Sequence, residues 1–163
     1  MKKIVFTPIG IVHSEFKHPR GTPIQAASPL AQGTEGYIEI FPEYIDGLKD
    51  LDGFSHIILL YYFHKAGPYR LLRKPFMDNE ERGIFSIRAP SRPNPIGISI
   101  VKLIEVKEGG KLIIQDLDIL DGTPLLDIKP YLPAMDSRNV ERIGWLKKRI
   151  HNMGNTTDDG RFA

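Results

Sequence analysis

A chain of 163 residues is long enough to bury roughly 70 % of the surface its unfolded form exposes, so folding requires neither a disulfide nor a structural metal. With 22 Lys and Arg against 20 Asp and Glu the net charge is only +2, and contact with nucleic acid must come from clustered basic residues, not from the overall field. There are no cysteines, which excludes thiol catalysis, disulfides and cysteine-held zinc or iron–sulfur sites. Met1 leads through two lysines into IVFTPIGIV, an apolar stretch shorter than a membrane span and without a small-residue cleavage site after it. The chain reads as one soluble, cytoplasmic domain over 1–163.

Ile4 to Val12 is rich in β-branched residues and broken by Pro8 and Gly10, which predicts an edge strand or a bent one. His13 to Pro29 has no hydrophobic period; Pro19, Pro23 and Pro29 make it a stiff, ordered loop, with Gln25 its residue of interest. Gly36 to Phe41 is a short strand, and Pro42 to Leu51 is one or two helical turns closing against it. Phe54 to His64, FSHIILLYYFH, is apolar at nearly every position and predicts a central strand covered on both faces, by the core on one side and by a helix or second subunit on the other. His56 is expected to be a satisfied structural residue; His64 differs in being followed by Lys65 and a nearby glycine. From Tyr69 to Arg82 the chain makes a charged excursion in which Arg70, Arg73 and Lys74 form the best local basic patch.

Gly83 to Ser99, GIFSIRAPSRPNPIGIS, is the most unusual stretch. Pro90, Pro93 and Pro95 lack backbone donors, fix φ and push their preceding residues toward extended geometry. Arg88 and Arg92 thus hang from a stiff arch. That suits either an anion or cofactor site or a rigid inter-strand connection whose arginines pair with surface acids. Ile98 to Val106 and Lys111 to Ile119 flank EGGK and predict a hairpin with a Gly-Gly turn. LDGTPLLDIKPYLPAMD follows, a proline-braced segment read as a binding loop with a tight turn at Asp121 and Gly122. Ile143, Leu146, Ile150 and Met153 recur at helical spacing and predict an amphipathic helix packed outside the sheet. The polar tail 155–163 is expected to fray.

The chain carries no HExxH, GxGxxG, P-loop or GxSxG, and no histidine pair has metal-ligand spacing, so no metal site is expected. Three stiff loops remain, around Pro23, Arg88 to Pro95 and Asp121 to Pro124. Converging at the mouth of a small barrel, they would form a mostly apolar pocket with a few polar anchors. Such a pocket suits a small zwitterion. Arg88 is placed to take a carboxylate and Asp121 an ammonium or ribose hydroxyls.

Together, the GTPIQ loop, SIRAPSRPNPIGIS and DGTPLLDIKPY resemble the TsaA-like family, also called TrmO or YaeB, from about Ile9 to Trp145. The resemblance implies an all-β fold, a small closed or nearly closed β-barrel with the C-terminal amphipathic helix and short helical turns outside. It implies binding of S-adenosyl-L-methionine, a homodimer, and methyl transfer to N6 of threonylcarbamoyladenosine beside the tRNA anticodon. The family's cofactor positions fall on Pro23, Ile24 and Gln25, on His64 and Lys65, on Arg88, on Ile98, and on Asp121, Gly122, Thr123 and Pro124. No residue is singled out as proton acceptor. The additional C-terminal domain of longer bacterial members is missing here, so tRNA phosphates are expected at Arg70, Arg73 and Lys74, with the helix lysines as second choice.

Overall fold

The computed structural model describes residues 3–163; Met1 and Lys2 of the basic start lie outside the described residues. Six strands close on themselves: β1 (Gly10–Ser14), β2 (Glu35–Ile40), β3 (His56–Tyr62), β6 (Ile96–Lys107), β7 (Lys111–Gln115) and β8 (Thr123–Pro130). The order around the barrel is β1-β2-β7-β6-β3-β8, every pair antiparallel, with β8 returning to β1. Closure leaves no free edge in this sheet. A separate ribbon, β4 (Leu72–Arg73) with β5 (Arg82–Gly83), carries the charged excursion.

Alternation explains the barrel. Along β6 the inward Gly97, Ser99, Val101 and Leu103 are buried while Ile96, Ile98, Ile100 and Lys102 face outward. The interior is filled by Val12, Ile38, Ile57, Leu59, Val101, Leu112, Ile114 and Leu125, all fully buried, each contributing about 1.5–3 kcal/mol by leaving water. The EGGK turn forms as expected, with Gly109 and Gly110 both at positive φ. Pro42–Leu48 and Leu51–Gly53 are the short helical turns, of 3-10 type. A second, smaller core of Ile84, Ile87, Ala89 and Phe162 lies under the proline arch.

Several expectations need correction. The first strand starts at Gly10, not Ile4: Ile4, Val5 and Phe6 are 77 %, 78 % and 62 % exposed and precede Pro8, which cannot donate to a ladder. Asp121 to Pro130 is no loop beyond its first turn; its prolines stand near the two ends of β8, where a missing donor interrupts little pairing. The C-terminal amphipathic helix is not an α-helix. Ile143 to Met153 breaks into 3-10 turns over Gly144–Lys148 and Ile150–Asn155, and among the described residues the only α-helical turn is α1 (Pro133–Asp136). Gly144 at φ 57°, Gly154 and uncapped ends make a continuous helix too costly for so short a run.

The tail does not fray. Phe162 is 1 % exposed and meets Phe76 edge-on at 4.8 Å, beneath the Arg73 guanidinium at 5.1 Å. Thr157 bridges Pro23, the Gly21 N–H donates to the Asp158 carbonyl at 2.7 Å, and the Gly67 N–H donates to the Phe162 carbonyl at 3.0 Å. One buried ring is sufficient to dock a polar segment.

Candidate cofactor site

At one mouth of the barrel lies a hollow of about 210 Å³. Four groups of elements build it: the loop after β1, the end of β3 with the residues that follow it, the arch leading into β6, and the connection from β7 to β8. The tail closes the remaining side through Asp158 and Phe162.

Of the residues predicted from sequence, Pro23, Ile24, Gln25, His64, Lys65, Arg88, Ile98 and Thr123 line this hollow. Arg88 Nη1 donates to Gln25 Oε1 at 2.8 Å, so the arch is tied to the loop after β1 across the opening. His64 Nδ1 lies 3.3 Å from Thr123 Oγ1, joining the end of β3 to the start of β8. Burial, with repulsion from Lys65, lowers the His64 pKa below the usual imidazole range, against the pull of Asp121. It is therefore neutral at pH 7. Lys65 sits at the rim with its ammonium on the Lys17 carbonyl at 2.7 Å. Ile98 edges the hollow from outside, 55 % exposed on the outer face of β6.

Asp121, Gly122 and Pro124 are not in its lining. Asp121 is engaged elsewhere: it accepts from Lys17 Nζ at 2.8 Å and from the Ser14 N–H at 3.2 Å, and His13 stands 3.5 Å away. The Lys17 hydrogen bond is the main reason its carboxyl is held below the usual range. An acid so committed has little left to offer an ammonium. Gly122 serves the turn, at φ 76°, and Pro124 is paired with Ile11 in the barrel wall.

The acids that do line the hollow are Asp118 and Asp158. Asp118 Oδ1 accepts from Ser99 Oγ at 2.6 Å, and Ser99 Oγ lies 3.0 Å from the Tyr61 hydroxyl. These three come from the β7–β8 connection, β6 and β3. Close passage of the Tyr61 ring over Gly97 requires glycine there, since a Cβ would collide with the ring. Part of Asp118 opens on the hollow, yet the protein crowds it deeply enough to push its carboxyl up to about 6, against the Ser99 hydrogen bond and the Arg88 charge. Sequence reasoning passed over this residue. The available signal was an acid set between Leu117 and Ile119, both fully buried.

The family model for the tRNA-methyltransferase O N-terminal domain matches residues 11–137, and the chain belongs to that family. A Pyrococcus abyssi protein named a probable S-adenosyl-L-methionine-binding protein is 56 % identical over 159 residues, covering 98 % of this chain and 85 % of that one. The Escherichia coli tRNA (adenine(37)-N6)-methyltransferase is 37 % identical over 146 residues, covering 84 % of this chain and 61 % of that enzyme. Among solved structures, TrmO from Pseudomonas aeruginosa superimposes with a TM-score of 0.72 at 37 % identity, covering 88 % of this chain. The chain spans 62 % of the length of that structure.

The hollow fits a sulfonium nucleotide in its donor set: cations at Arg88 and Lys65 for a carboxylate, acids at Asp118 and Asp158 for positive charge, and Phe63, Phe76 and Ile98 for a ring. Among the described residues no cluster of three His, Asp or Glu is arranged to hold a metal ion, and no helix is long and apolar enough to cross a membrane.

Proposed function

We propose that this chain is an S-adenosyl-L-methionine-dependent methyltransferase acting on N6 of threonylcarbamoyladenosine next to the tRNA anticodon, working in the cytoplasm as a homodimer. One observation carries this: in a chain of this family, Gln25, His64, Arg88 and Thr123 share one hollow although they come from four separate segments. The cofactor, when bound, supplies a methyl group already activated on a positively charged sulfur. The protein has to hold, align and keep dry. Arg88, positioned by Gln25, takes the carboxylate; Thr123 and neutral His64 offer hydrogen bonds; Phe63 and Phe162 exclude water. Across the Arg88–Gln25 bond a second hollow of about 440 Å³, with Phe85, Trp145 and Met153 in its wall, is the apolar place for the acceptor base.

For tRNA phosphates the basic cluster narrows. Arg73 is spent on the tail, donating to the Arg161 carbonyl at 2.8 Å and covering the Phe162 ring, whereas Arg70 and Lys74 are exposed. Incubating the protein with methyl-labelled cofactor and threonylcarbamoylated tRNA is expected to label N6. Bound cofactor without transfer would leave a binding module and overturn the catalytic reading.

The homodimer is assigned to the outer face of β3 and β6. There Ile58 pairs with Ile100, Leu60 with Ile98 and Tyr62 with Ile96, a contiguous apolar strip on which Tyr62, Ile96, Ile98 and Ile100 are 44 %, 39 %, 55 % and 41 % exposed. A second copy laid on this strip covers it and brings its own chain beside the cofactor hollow at Ile98. Sedimentation of Ile100→Glu is expected to give a monomer; an unchanged dimer moves the contact elsewhere.

A further inference from the structure

We infer that Asp118 is the carboxylate that receives the bound ligand: it supplies the counter-charge to the positive end of the sulfonium nucleotide, and the Tyr61–Ser99–Asp118 string exists to aim it. The inference rests on the cofactor reading above and goes beyond it by assigning the acid.

Asp118 lines the hollow with one oxygen fixed by Ser99, whose own hydroxyl is tied to Tyr61. Among the described residues no lysine or arginine forms an ion pair with it. A carboxylate removed from water without a cation is costly, and Ser99, itself tied to Tyr61, holds this one from the barrel wall where a cation can complete it. The other acids differ: Asp121 has Lys17 and His13, and Asp158, whose carboxyl pKa burial also raises and which forms no ion pair among the described residues, accepts the Gly160 N–H at 2.6 Å and hangs from the tail instead of the barrel wall.

The consequence is a proton. In the free protein the Asp118 carboxyl titrates near 6, so a cationic ligand that prefers the charged form must displace the proton at and below that pH. Affinity then rises with pH up to about 6 and levels off above it. The groups that share this space are Tyr61 on β3, Arg88 and Arg92 on the arch, His64 and Lys65 after β3, Asp158 on the tail, and the Ala26 N–H from the loop. His64, its pKa lowered mainly by burial, is a second titratable group in this space, so a residue-specific readout is needed.

That readout is carbon NMR of aspartate-labelled protein, titrated free and with saturating S-adenosylmethionine. The Asp118 carboxyl is expected to fall by at least one pH unit on binding, while the Asp121 carboxyl stays in place. Calorimetry of Asp118→Asn at pH 7.5 should show S-adenosylmethionine binding weakened tenfold or more. Methylthioadenosine, which keeps the nucleoside and lacks both positive charges, should bind wild type and variant alike. An Asp118 titration unmoved by the ligand, or a folded variant that keeps full affinity, overturns the assignment and leaves the cofactor reading intact. Failure of the wild type to bind S-adenosylmethionine at all overturns both.

Discussion

The two walls of the cofactor hollow are built on different terms. On the barrel side, Tyr61, Ser99 and Thr123 hang from strands laddered to a neighbour on each flank, and opposite Leu60 and Tyr61 the β8 strand carries one extra residue, Leu126, as a bulge. On the tail side, Asp158 and Phe162 are held by an isolated bridge, a few backbone hydrogen bonds, the Arg73 and Arg161 side chains and one buried ring, with no strand ladder. Moving a barrel-wall group requires opening the sheet. The tail contributes no strand to the closed sheet, so its release requires no ladder to open. A site that must orient a small charged ligand and still admit it is well served by this division, with aiming groups on the barrel and access at the tail.

The sharpest way to break this comparison is Phe162→Ala. Removing a fully buried ring costs about 3–5 kcal/mol, and here the loss should fall on the tail and the small core under the arch. Native-state hydrogen exchange is the measurement: amides of Gly21, Gly67 and Asp158 should lose protection, while those of Ile57, Leu59 and Val101 keep theirs. Equal loss on both walls would mean that they open as one unit.

Arg88→Ala tests the junction between the walls. Arg88 is the one cation of the arch bonded across the opening, and its removal should weaken S-adenosylmethionine binding by about 2 kcal/mol, roughly thirtyfold, with barrel protection unchanged. Unchanged affinity would remove Arg88 from the site.

What was legible in the sequence follows the same division. The apolar run FSHIILLYYFH, the Ile- and Val-rich stretches on either side of the Gly-Gly turn and the stiffness of the arch are local properties, and strands stand within the first three of these stretches. β8 was hidden because Pro124 and Pro130 read as breakers when only their places at the strand ends make them harmless. The 3-10 turns after Ile143 carry a helical period that Gly144 and Gly154 overrule. Asp121 stands in DGTP, but of two acids three residues apart it is Asp118 that lines the hollow, while Asp121 is held by Lys17, more than 100 residues earlier. Phe162 looked like the end of a polar tail because its partners, Phe76 and Arg73, lie far back in the chain.

Those two acids give the finest test, because burial and pairing push them in opposite directions. The Asp118 carboxyl, raised to about 6, makes the folded state bind a proton that the unfolded chain has released, so its stabilisation is complete below about pH 4 and is lost as pH rises through 6. Asp121, lowered mainly by Lys17, stabilises the fold above about pH 4 and loses that contribution as pH falls through its depressed value. Urea unfolding at pH 7 should therefore find Asp118→Asn more stable than wild type by roughly 1–2 kcal/mol, discounted for the water that reaches the hollow, and Asp121→Asn less stable by about 0.5–1 kcal/mol. At pH 3.5 the Asp118 difference should have shrunk toward zero, whereas the Asp121 difference should shrink only as pH falls further, through its depressed value. If Asp118→Asn instead destabilises the protein at pH 7, its carboxylate is part of the scaffold, and the barrel wall carries no group held at a cost for a ligand.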